Sequence, residues 1–71
     1  MSKQISIIGE NIKKARLAQN ISQDTLSKRA NVAFHTIAKI EAGATPNPTI
    51  DTVKKIADAL KISIDDLAKQ V

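Results

Sequence analysis

The chain of 71 residues contains one histidine, no cysteine and one aromatic ring, so the side chains able to do chemistry are few and easily placed. Most lie in one stretch, Ile21 to Gly43, which reads ISQDTLSKRANVAFHTIAKIEAG. His35 and Lys39 stand four apart, so on a helix they share one exposed face. On that helix, the positions opposite the apolar pair Ile37 and Ile40 are His35, Lys39, Ala38 and Ala42. Such a face can hydrogen-bond and carry positive charge, but it holds no nucleophile with a base. His35 has no second ligand at metal spacing, so no metal site is expected. Asp65 and Asp66 are read as part of a helix cap rather than as an acid/base pair. No Gly-rich phosphate loop is present, and neither a catalytic residue nor a cofactor is expected.

Five helical patterns position these residues. The first runs from about Ser6 to Gln19, with Ile8, Ile12 and Ala15 as its core stripe and Asn20 as a left-handed stop. Ser22 caps the second, whose inner face is Leu26 and Ala30; Ile21 and Leu26 have the spacing of a hydrophobic staple. Asn31 tolerates the positive φ of a tight turn. The third helix spans about Ala33 to Ala42 and ends at Gly43. The loop ATPNP, with two prolines in three residues, stops any helix. Thr49 caps the fourth, whose face is formed by Ile50, Val53, Ala57 and Leu60. Ser63 opens the fifth in a Ser-x-x-acid capping box, stapled by Ile62 and Leu67. KISI at 61–64 alternates like a strand but is too short to be one. The expected fold is all-α, a single domain over residues 1–71.

Charge distribution narrows the function. Residues 1–45 hold seven Lys/Arg against three acids, and residues 46–71 hold four Lys against four Asp. The whole net charge of +4 therefore lies in the part that contains Ile21 to Gly43. A field of this sign suits phosphate neutralisation. With one Phe and no Trp or Tyr, base-stacking platforms for single strands are not expected. No run approaches the ~18 apolar residues of a membrane span, and the N-terminus lacks a signal-type apolar segment. The chain is read as soluble and cytoplasmic. Lys54 and Lys55 are read as a solvated face.

The spacings from Ser22 to Gly43 meet the needs of a helix-turn-helix: a capped first helix, a small inward residue at Ala30, a turn residue at Asn31, and Val32, Ile37 and Ile40 holding the second helix down. A larger side chain at 30 would push the helices apart.

Together the strings ISQDTLSKRANV, TIAKIEAG, NPTIDTVKKIADAL and ISIDDL resemble the phage-repressor/Cro-type (XRE) helix-turn-helix family, over about Ile8 to Leu67. The resemblance implies a compact five-helix, lambda-repressor-like bundle that binds duplex DNA and regulates transcription. It implies that Ser22 and Gln23 face the DNA, Gln23 on a phosphate or the first base. Phe34, His35 and Lys39 would read base edges, and Thr36 would meet the backbone. Arg16 and Glu41 match a pair that forms a buried salt bridge in some members. Three departures stand out. Asn31 replaces the usual turn glycine, Ala33 replaces a Ser or Thr cap at a cost of about 1 kcal/mol, and Phe34 replaces a polar reader. Phe34 could touch a thymine methyl or fold back onto the core.

Ile64, Ala68 and Val71 fall at i, i+4 and i+7 of the last helix, with Ile5 and Ile7 near the other end. An apolar stripe there favours a homodimer, which sets two recognition helices about 34 Å apart on a palindromic operator. The expected function is a transcriptional repressor. The alternative is an antitoxin-like or antirepressor-like interaction module on the same fold.

Overall fold

A computed structural model describes residues 7–44 and 48–69. Five helices follow one another: α1 (Ile7–Ala18), α2 (Gln23–Ala30), α3 (Phe34–Ala42), α4 (Ile50–Leu60) and α5 (Ile64–Ala68). No strand forms among the described residues. The suggested start at Ser6, the apolar residues Ile5 and Val71, and the centre of the ATPNP loop lie outside them.

One core receives side chains from every helix. Ile12 of α1, Leu26 of α2, Ile37 and Ile40 of α3, Ile56 and Leu60 of α4 and Leu67 of α5 are fully buried. Each such side chain stabilises the fold by about 1.5–3 kcal/mol relative to exposure. Helix α1 lies against α3, α4 and α5, while α2 lies against α3 and α4. Ala30 is buried where α2 ends, as the close crossing of α2 and α3 requires.

Local hydrogen bonding explains why the chain stops and restarts where it does. Ser22, Thr49 and Ser63 each accept a bond from the backbone N–H three residues on. At the other ends, Asn20, Asn31, Gly43 and Lys61 adopt left-handed conformations. In each case the following amide reaches back five residues: Ile21 to Arg16, Val32 to Ser27, Ala44 to Lys39 and Ile62 to Ala57. This is the Schellman arrangement, which satisfies carbonyls that the helix leaves unpaired. Ile21, Val32 and Ile62 also pack against the core. One three-residue unit thus recurs: a left-handed residue, an apolar anchor, then the next cap. Its copies are Asn20-Ile21-Ser22, Asn31-Val32-Ala33 and Lys61-Ile62-Ser63.

The sequence pattern misplaces one residue and overlooks others. Ile50, assigned to the inner face of α4, is 68% exposed. It is the first residue of that helix, and its Cβ tilts back past the helix end rather than onto a neighbour. The left-handed Lys61 was not anticipated, because lysine rarely takes that conformation. Two side-chain amides, Asn11 of α1 and Gln19 just past its end, reach the far ends of other helices. Asn11 Nδ2 donates to the carbonyls of Leu67 and Lys69 at 2.7 and 2.8 Å, and Gln19 Nε2 donates to that of Leu60 at 2.6 Å. Ile64 is half-buried against the core and Ala68 is exposed, so the described part of the last helix shows only a narrow apolar stripe.

Candidate nucleic-acid interface

Helix α3 divides by burial along its length. Ile37 and Ile40 are fully buried; Phe34, His35, Lys39 and Ala42 are exposed, and Thr36 and Ala38 are intermediate. Ala33 is the N-cap of the helix, at φ −57° and ψ 142°, and its side chain makes no cap bond. Its carbonyl still accepts from the Thr36 and Ile37 amides at 3.0 and 3.2 Å. At the other end, Gly43 closes the helix at φ 81°, a conformation that disfavours any Cβ.

Phe34 is 50% exposed, and it is absent from the apolar side chains that pack on the core. Half of its surface is therefore open to solvent at the start of α3.

A buried ionic cluster sets the orientation of α3. Arg16 Nε donates to Glu41 Oε2 at 2.8 Å, and a guanidinium Nη donates to Glu41 Oε1 at 3.0 Å. The other Nη donates to the Ile21 carbonyl at 2.9 Å. Their side chains are only 10% and 3% exposed. The hydrogen bond to Glu41 raises the Arg16 pKa above its ordinary value, against a lowering by burial, with the carboxylate's charge adding to the rise. This fork-to-fork pairing ties α1, the turn before α2 and the last turn of α3 into one unit. Arg16 is thereby withdrawn from any phosphate. The excess of positive charge survives, because Glu41 is withdrawn with it.

Gln23 belongs to the same cluster. It is half-buried, and its Nε2 donates to Glu41 Oε1 at 3.0 Å. That bond links the first residue of α2 to the end of α3. Sequence reasoning placed Gln23 at a contact surface but missed this partner, 18 positions away. Ser22 is exposed, and its hydroxyl is committed to the cap: it accepts from the Thr25 amide and donates to Thr25 Oγ1, both at 3.0 Å. Among the described residues, no buried side-chain nitrogen or oxygen lacks a partner. No group of three His, Cys, Asp or Glu among them is placed to hold a metal. None of their helices is long and apolar enough to cross a membrane.

Comparison with known proteins gives this geometry a setting. A family model described as helix-turn-helix matches residues 12–67. The transcriptional regulator SinR of Bacillus licheniformis is 30% identical over 64 residues, covering 90% of this chain and 58% of its own. The chain spans about half the length of the curated relatives it matches, 45% of one and 58% of another. Among solved structures, SinR, the master regulator for biofilm formation, in complex with DNA superposes with a TM-score of 0.84 at 31% identity, over 87% of this chain and 98% of that one. The P22 c2 repressor in complex with a synthetic operator superposes with a TM-score of 0.79 at 30% identity, over 94% and 97% of the two chains.

Proposed function

This chain belongs to the helix-turn-helix family, and from that membership we propose that it binds duplex DNA through α3 and regulates transcription, as a repressor. The observation that carries this reading is the two-sided α3. Its inner face is locked by Ile37, Ile40 and the Arg16–Glu41 pair, and its outer face offers Phe34, His35 and Lys39. A rigid helix with a free polar edge fits the major groove. Similar proteins solved on DNA support the same use of the fold.

In this reading Lys39 and His35 meet base edges or phosphates, and Thr36 meets the backbone. Gln23 spends one amide hydrogen on Glu41 and keeps a second for a phosphate. Ser22 stands beside that phosphate mainly as a cap. The protein acts as a non-enzyme in the cytoplasm, where its duplex is found. Two copies bind a palindromic operator with their recognition helices about 34 Å apart. The pairing surface is the C-terminal end of the chain, through Ala68 and the accessible part of Ile64 on α5; Val71, the third residue of that stripe in the sequence, lies outside the described residues.

The test is duplex binding titrated against salt. Affinity should fall linearly in log–log, with a slope set by the number of phosphates neutralised. No duplex binding at low salt overturns the reading and favours the protein-interaction alternative. His35→Ala with Lys39→Ala should reduce specific binding more than non-specific binding. Ultracentrifugation that finds only monomer, both free at high concentration and on the operator, removes the dimer.

A further inference from the structure

We infer that Phe34 reads the 5-methyl group of a thymine in the major groove, a specificity that rests on the DNA-binding reading above. Phe34 opens α3 with its ring half in water, between the exposed Ala33 and His35. The ring lies outside the buried core, and half of its surface stays open to solvent. Leaving an aromatic ring exposed forgoes the stabilisation its burial would give. Ala33 extends the same character, since the cap position carries a methyl and makes no side-chain bond. The leading turn of α3 is thus an apolar tip on an otherwise polar face.

Base edges in the major groove present nitrogen and oxygen donors and acceptors, and one apolar group, the thymine 5-methyl. A phenyl ring can neither donate nor accept a conventional hydrogen bond. Pressed against the polar edge of a G·C pair, it desolvates those atoms and returns nothing. Pressed against a thymine methyl, it removes apolar surface from water on both sides. The tip therefore selects for thymine and against the alternatives at the same position.

The test begins with a preferred duplex selected from a random pool. Each dT is replaced singly by dU, which removes only the methyl, and the full chain is titrated by fluorescence anisotropy. The wild type should lose about fourfold in affinity at one position per half-site, the factor corresponding to ~0.8 kcal/mol per buried methyl. Phe34→Ala should bind the dT and dU duplexes equally. Phe34→Gln should shift the preference at that position towards adenine, which glutamine pairs through two hydrogen bonds. Thermal melts of both variants should stay close to wild type, because the ring is exposed. Equal wild-type affinity for dT and dU at every position overturns the inference, as does discrimination that survives Phe34→Ala. Loss of self-association in Phe34→Ala with base preference intact assigns the ring to a protein contact and overturns it too. Failure to bind any duplex is a separate result and defeats the DNA-binding reading itself.

Discussion

Gln23, the first residue of α2, donates to Glu41 near the end of α3 across 3.0 Å, and Glu41 holds Arg16 of α1 at 2.8 Å. One carboxylate therefore sets the angle between the two helices of the motif and anchors both to the rest of the fold. An ionic cluster of this kind specifies geometry more surely than it adds net stability, because desolvating the charges offsets much of their attraction.

Breaking the cluster from one side is expected to be severe. Arg16→Met leaves Glu41 buried with only Gln23 as donor and should cost about 3 kcal/mol. A domain of this size loses about 4–8 °C of Tm for each kcal/mol, which a calorimetric scan resolves. Arg16→Met with Glu41→Leu should recover most of the loss, since no charge is left stranded. The raised Arg16 pKa fixes the pH behaviour on the alkaline side. A raised value means stability that is fully present below the ordinary arginine range and lost only as pH climbs through the still higher folded value. The urea-midpoint difference between wild type and Arg16→Met should thus be equal at about pH 7 and about pH 9.5.

Gln23→Ala removes a bond to a charged acceptor and should destabilise by about 1.5 kcal/mol in urea titration. If Gln23 also holds a phosphate, the same change weakens binding to every duplex alike, without altering base preference. An altered preference would instead place Gln23 on a base.

Two backbone positions are open to improvement. Lys61 sits at φ 61° at the end of α4, where a side chain is strained, and Lys61→Gly should raise stability by about 1 kcal/mol. Ala33 occupies an N-cap without an oxygen, and Ala33→Ser should add about 1 kcal/mol by accepting a first-turn amide. Chemical denaturation of each variant decides; no gain at position 61 would mean that its left-handed turn carries no strain.

Helix α5 has five residues, too few to hold itself in water. Its C-terminal carbonyls lean on Asn11. Asn11→Leu should lower the hydrogen-exchange protection of the α5 amides about tenfold, which corresponds to one net bond of ~1.4 kcal/mol. Protection of α2 and α3 should change less, because the Asn11 side chain bonds to the end of α5 and to neither of them.

The sequence by itself determined the number of helices, most of their ends and the inner faces of α2 and α3. Caps such as Ser22, Thr49 and Ser63 and turns such as Asn20, Asn31 and Gly43 act within a few residues, and the apolar period follows from helix geometry. The candidate reading face was legible for the same reason: once Ile37 and Ile40 point inward, His35 and Lys39 point out. Phe34 was not, because a residue at the first turn lies at the edge of the stripe and periodicity gives it no side. Ile50 was assigned inward and lies outward for the same reason. Only the tertiary structure decided these two, along with the partner of Gln23 and the reach of Asn11 and Gln19 to distant carbonyls. Those outcomes depend on how helices far apart in the chain are set against one another, and no local pattern encodes that angle.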